Sequence, residues 1–131
     1  MPTGSVGVTI PPTIVSLLQA ILGLLQPIPK GSIFNTAIGA NTNFFAPNLV
    51  PTNTPTLFRI YVCLSVAGVF NIQRRLGAVT QTENLNAGIA LNANAAYMFD
   101  ILVDAGETIN LQTTVAATII KCSVAEKDNM E

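Results

Sequence analysis

The chain has 131 residues, the usual length of one domain, and half of its residues are apolar while 10% are charged. Soluble domains carry roughly 25% charged residues, so charge is strongly depleted, and the high apolar content excludes a disordered chain. The net charge of -1 and six basic residues, which form no tract beyond one adjacent pair, predict no binding to nucleic acid.

The few charges are distributed unevenly along the chain. The first 58 residues contain a single charged side chain, Lys30, and the first carboxylate is Glu83. A surface that faces water normally needs charges of both signs to stay soluble and unassociated. We therefore predict that other chains cover this part of the protein, which makes it a subunit of an assembly.

The N-terminal 30 residues are predicted to form an assembly segment, with residues 1–10 as an extended arm followed by a short helix over residues 14–25. Thr13 is its predicted N-cap, and Pro27 and Pro29 end it. The helix is apolar around nearly its whole circumference, which predicts burial on nearly all sides. The predicted interface residues are Ile14, Leu17, Leu18, Ile21, Leu22 and Leu25. The alternative is that the helix fills the core of its own domain.

This helical segment is too short to span a bilayer, which needs about 20 apolar residues. It also lacks the basic region and the small-residue cleavage site of a signal peptide. We therefore expect no membrane anchor and no export through this segment.

Residues 31–126 are predicted to form a β-sandwich domain, followed by a charged tail over residues 127–131. The alternation of apolar and polar residues favours strands at residues 32–38, 42–46, 57–66, 69–76, 78–85, 97–103, 109–115 and 116–124. The fold class is therefore all-β, an antiparallel β-sandwich or jelly roll of about seven or eight strands with an N-terminal arm and one short hydrophobic helix. The absence of alternating strands and helices excludes a parallel α/β sheet.

Three details of the strands are predicted as well. Residues 57–66 are apolar on both faces, which indicates a central strand that is covered on both sides. Residues 69–76 are expected to pair with that strand through a turn at Gly68. In the last strand, Ile120, Cys122 and Val124 are expected to share the inward face.

The two cysteines, Cys63 and Cys122, are too few for a disulfide scaffold and too far apart in sequence for a zinc-ligand pair. Both lie in apolar strand patterns, where free cysteine behaves as a small buried hydrophobic residue. A disulfide between neighbouring strands is the alternative.

No arrangement of residues predicts catalysis, a metal site or a cofactor. The chain has no histidine, which removes the commonest general base and the commonest transition-metal ligand. Asp104 and Glu107 flank a turn and have the ligand type for calcium, but capping of the turn explains them better. Arg74, Arg75 and Glu83 suggest a salt bridge within the sheet or between subunits, with an anionic-ligand site as the alternative.

Residues 57–62 (LFRIYV), 97–103 (YMFDILV) and 106–112 (GETINLQ) carry a resemblance to a family. The stretch from residue 57 to residue 126 resembles small β-sandwich or jelly-roll virion proteins of tailed phages and prokaryotic viruses, including capsid decoration proteins. The resemblance covers just over half of the chain and excludes the N-terminal helix. It implies a structural role in a particle, often as a trimer, with no catalytic residues.

The leading hypothesis is a virion structural subunit, either a capsid decoration protein or a head-associated protein, assembled in the host cytoplasm. Its expected partners are copies of itself, most often as a trimer, and other virion shell proteins. One alternative is a receptor- or glycan-binding module, although the chain has no tryptophan and only two tyrosines, Tyr61 and Tyr97, both within predicted strands. Another is an extracellular filament subunit whose arm, with Val6, Val8 and Ile10, completes a neighbour's sheet.

Overall fold

The computed structural model describes residues 13–18 and 27–127. Residues 13–18 form a short helix, α1, and the rest is built from antiparallel strands, which confirms the predicted all-β sandwich. The strands are β1 (Ile28–Ile38), β2 (Thr56–Leu64), β3 (Phe70–Leu76), β4 (Val79–Asn84), β5 (Ala96–Val103), β6 (Glu107–Thr113) and β7 (Ala117–Lys127). The predicted arm, residues 19–25 of the predicted helix, and residues 128–131 of the tail lie outside the described residues.

The strands form two sheets, with the orders β1-β7-β2-β5 and β4-β3-β6. The connection between β1 and β2 lies along the free edge of β6. There the backbone N–H groups of Asn41, Phe44 and Leu49 donate to carbonyls of β6 over 2.8–2.9 Å. With this irregular segment counted, the second sheet has the order 41–49, β6, β3, β4. Two sheets of four in this order form a jelly roll, so the sandwich takes that form.

The predicted pairing of residues 69–76 with residues 57–66 is wrong. β2 lies between β7 and β5, whereas β3 lies in the other sheet between β4 and β6. The chain crosses from one sheet to the other between these strands. Their apolar faces therefore meet across the core, because alternation specifies the buried face of a strand and not its neighbour.

Three further strand predictions are corrected by the structure. Residues 42–46 form no strand, because the segment follows β6 irregularly. The outer face of β2 is open in the single chain, where Arg59 is exposed and Tyr61 is half-buried. In β7 Ile119 is buried in place of Ile120, because the register with β2 shifts next to Cys63.

The core lies between the two sheets and is made mainly of aliphatic side chains with three aromatic rings in contact. Phe70 packs between Phe44, at a centroid distance of 5.8 Å, and Phe99, at 6.0 Å. Phe44 comes from the irregular segment, so that segment closes the core as well as the sheet edge. The side chains without measurable exposure include Phe58, Ile60, Val62, Phe70, Ile72, Ile109 and Leu111. Each contributes about 1.5–3 kcal/mol through burial.

The cysteines are free and buried, as the preferred interpretation held. Cys122 pairs with Val62 across the β2–β7 ladder, while Cys63 pairs with Lys121. The two thiols therefore point to opposite faces of the sheet, so the alternative of a disulfide between them is wrong. Burial raises the pKa of the Cys122 thiol to about 12.

Asn110 holds the irregular segment in place with its side-chain amide. Its Oδ1 accepts the N–H of Phe45 at 3.0 Å, and its Nδ2 donates to the carbonyl of Phe45 at 2.6 Å and to Oδ1 of Asn48 at 2.7 Å. The buried amide thus replaces the missing backbone pairing of a regular strand.

We expect Asn110→Ala to lower the free energy of unfolding by about 2 kcal/mol, because it leaves backbone groups of Phe45 without partners. Urea denaturation measures this change. The matched control is Gln112→Ala, whose amide reaches Asn43 on the exposed side of the same strand. The control should cost less than about 0.5 kcal/mol. Equal losses in the two variants would contradict the role of Asn110.

Candidate assembly surface

Helix α1 presents large apolar side chains to solvent. All six described residues of the helix are exposed, with Leu17 at 60%, Leu18 at 54% and Ile14 at 47%. Contiguous exposed apolar residues mark a surface that another molecule covers. Three of the predicted interface residues are therefore available for contact, and none of them enters the core of its own domain. The other three, Ile21, Leu22 and Leu25, lie outside the described residues.

A second open surface is the outer face of the four-stranded sheet. One row of cross-strand neighbours on this face contains Ser32, Ser123, Tyr61 and Met98, from β1, β7, β2 and β5 respectively. The next row contains Pro29, Ala125, Arg59 and Asp100. Small side chains on β7 thus lie between larger ones on β2 and the backbone of β1, which leaves a trough along β7.

We call this trough the outer groove, and it consists of two adjoining depressions of about 340 and 420 Å³. Ser123 and Ala125 line both depressions, so they form the common floor. Arg59, Tyr61, Met98 and Lys121 complete the first depression, and Pro27, Pro29, Lys30, Gly31, Ser32 and Val124 complete the second. Phe34, 73% exposed and paired with Lys121 across the sheet, stands at one end of the groove.

The charges beside the groove are neutralised within the chain. Arg59 donates through Nε and Nη2 to the two carboxylate oxygens of Asp100, each over 2.9 Å. The hydrogen bond and the positive charge of Arg59 lower the pKa of Asp100. This bidentate pair leaves the first depression without a free carboxylate among its described lining residues.

A buried ion pair between Lys30 and Glu126 ties β1 to β7 beneath the second depression. The Glu126 side chain is completely buried, and Nζ of Lys30 lies 3.0 Å from its Oε1. The same carboxylate accepts the backbone N–H groups of Thr52 at 2.8 Å and Asn53 at 2.7 Å. Desolvation raises the pKa of Glu126, but the two backbone hydrogen bonds and Lys30 together outweigh it and lower the pKa.

The sequence analysis missed the Lys30–Glu126 pair, although a signal for it exists. Glu126 continues the inward series of Cys122 and Val124 on an alternating strand, which places a carboxylate where an apolar residue is expected. A buried carboxylate requires a charged partner. Lys30 is the only cation in the first half of the chain, which made it a candidate.

Arg74 joins four strands at one end of the sandwich. Its guanidinium contacts Glu83 on β4 at 2.6 and 3.2 Å, Glu107 on β6 at 2.7 Å, and the carbonyl of Leu102 on β5 at 2.7 Å. The predicted pair of Arg74 and Glu83 thus forms within one chain. Arg75 points elsewhere, and its Nε donates to the carbonyl of Gly77.

The carboxylate of Glu107 is occupied by the chain itself. Its Oε1 accepts the N–H of Asp104 at 2.9 Å in addition to its contact with Arg74. The hydrogen bond from Asp104 is the main cause of the lowered pKa of Glu107. Across residues 13–18 and 27–127, no three Cys, Asp or Glu side chains come together as a possible metal site. In the same ranges no helix is long and apolar enough to cross a membrane.

Comparison with known proteins gives little further information. No protein-family model and no curated protein matches the chain. Among solved structures, the chain is similar to a pentameric capsid protein isolated from metagenomic phage sequences. The TM-score is 0.38 and the identity 17%, over 97% of this chain and 83% of that one. A likeness this low carries no weight for function, which we argue from the geometry of this chain.

We expect Lys30→Met to lower the free energy of unfolding by about 3 kcal/mol, because it leaves the buried carboxylate of Glu126 without its cation. Urea denaturation at pH 7 measures the loss. The matched control is Arg59→Met, which removes the cation of the exposed pair with Asp100. Exposed ion pairs contribute little, so the control should change stability much less. A Lys30→Met protein as stable as the control would contradict the importance of the buried pair.

The lowered pKa of Glu126 also predicts how stability depends on pH. Its contribution is fully present above about pH 4.3, the value of an unfolded glutamate, and disappears as the pH falls through the lower folded-state value. Acid should therefore destabilise the native protein more steeply than Glu126→Gln, which has no carboxyl to titrate at this position. Urea midpoints between pH 7 and pH 2.5 compare the two proteins, and parallel curves would refute the prediction.

Proposed function

We propose that this protein is a non-enzymatic structural subunit of a virion, either a capsid decoration protein or a head-associated protein. It assembles through its charge-poor arm and helix and contacts other shell proteins. The observation that carries the proposal is a jelly-roll body joined to a helix whose apolar side chains are exposed in the single chain. Jelly rolls occur in viral capsid proteins, in lectins and in cupins.

The side chains of this jelly roll favour the first of these three classes. Metal-dependent members need metal ligands, and the chain has no histidine. Sugar-binding sites use exposed aromatic rings, but Tyr97 stacks in parallel on Phe99 at 6.2 Å, and its hydroxyl accepts the N–H of Asn92. Tyr97 is therefore engaged within its own domain. A structural role needs no such site.

The size of the hydrophobic contribution shows how much of the helix is needed for assembly. Full burial of six Leu and Ile side chains contributes roughly 9–18 kcal/mol at about 1.5–3 kcal/mol each. Association of two proteins costs about 4–15 kcal/mol in lost freedom of motion. A firm contact therefore requires most of the predicted interface residues, and the loss of two should be enough to separate subunits. The resemblance to virion proteins makes a trimer the expected oligomer.

We expect the double variant Leu18→Asp and Leu22→Asp to be a folded monomer, because two buried carboxylates would have no partner in an apolar contact. Light scattering after size exclusion measures the mass, and circular dichroism checks the β-sheet signal. The matched control is Ser16→Asp with Gln19→Asp, which adds the same charge on the weakly polar side of the same helix. The control should still assemble.

Two outcomes would count against the proposal. A native protein that is itself a stable monomer would favour the receptor- or glycan-binding alternative. The virion location is checked by mass spectrometry of density-purified particles, in which peptides of this chain should be enriched over the culture lysate. Their absence from the particles would contradict a virion role.

A further inference from the structure

The outer groove has the dimensions of a helix-binding site. Its floor, Ser123 and Ala125 on β7, lies between β1 and β2. Neighbouring strands lie about 4.8 Å apart, so the distance from β1 to β2 is about 10 Å. An α-helix with its side chains has a diameter of about 10–12 Å. A helix with apolar residues can therefore lie along β7, with Tyr61 and Met98 on one side.

The charges of the groove suit an uncharged occupant. Arg59 is neutralised by Asp100, and Lys30 is neutralised by the buried Glu126. Lys121 is the one lining cation that forms no ion pair with any residue of the described ranges 13–18 and 27–127. No unpaired carboxylate lines either depression. The predicted helix over residues 14–25 contains no charged side chain, so neither surface repels the other.

The position of α1 identifies which copy of the helix can occupy the groove. Every described residue of α1 is exposed in its own chain, so the helix does not lie in the groove of its own domain. Pro27 lines the second depression, so the segment that carries the helix leaves the body beside the groove. A helix and a groove that are both open, both apolar and both present in every copy are complementary between two copies.

We propose that the outer groove of one copy receives the helix of residues 14–25 of a second copy. This inference rests on the proposed function and adds the surface that accepts the helix. Such a contact is heterologous, because it joins two different surfaces, and repetition from copy to copy closes a ring when the rotation allows it. A single contact type then covers both the exposed helix and the exposed sheet face.

The test uses two full-length variants that lack one surface each. The donor variant carries Leu18→Asp and Leu22→Asp, and the acceptor variant carries Ser123→Glu, which fills the groove with a charged side chain. We expect each variant to be a monomer alone, with apparent affinity weakened at least 100-fold. Mixed one to one, they should form a dimer with one copy of each, because one intact groove and one intact helix remain. Light scattering measures all three samples.

The control is Thr82→Glu, which adds the same side chain at an exposed position of the other sheet and should assemble like the native protein. Circular dichroism and thermal melting check that each variant is folded. If Ser123→Glu fails to fold, Ala125→Glu, at the other floor position, replaces it.

The outcomes separate the two proposals. Normal assembly of Ser123→Glu together with a monomeric donor variant would overturn the groove and leave the proposed function intact. A mixture that stays monomeric would overturn the groove as well, because it would mean that helices pack on helices. Normal assembly of both variants would overturn both proposals.

Discussion

The buried ion pair between Lys30 and Glu126 is the interaction on which the N-terminal half of the sandwich depends. It joins β1 to β7, and through the N–H groups of Thr52 and Asn53 it also fixes the connection that leads into β2. A carboxylate without any exposure is tolerated only because every one of these partners is present. The cost is that the single cation of the first 58 residues is used inside the molecule.

This use of charge explains why the surfaces of the chain suit assembly. Arg59 and Arg74 are also held by carboxylates of their own chain, so three of the six basic residues neutralise internal partners. The surfaces that remain, helix α1 and the outer groove, carry little charge to keep them in water. A protein with such surfaces is expected to be stable as an oligomer and poorly soluble as a single copy.

The sequence predicted the strands well and their neighbours poorly, for a physical reason. Alternation reports which face of a strand is buried, and it located β2, β5 and β6 closely, but it contains no information on the pairing of β2 with β3. The segment at residues 41–49 was misjudged because its pairing depends on the side chain of Asn110 rather than on backbone alternation. The absence of charge indicated the helix as a contact surface, whereas the groove depends on small residues that come together only in the folded sheet.

The pairing of β1 with β7 brings the beginning and the end of the described body together, with Ile28 opposite Glu126. During synthesis, the apolar N-terminal segment therefore leaves the ribosome long before the strand that completes its sheet. The floor of the outer groove belongs to β7, so a nascent or prematurely terminated chain has the helix but no groove. Subunit recognition through the groove would then be restricted to chains that have been translated through their last strand, which acts as a check against incorporating incomplete copies.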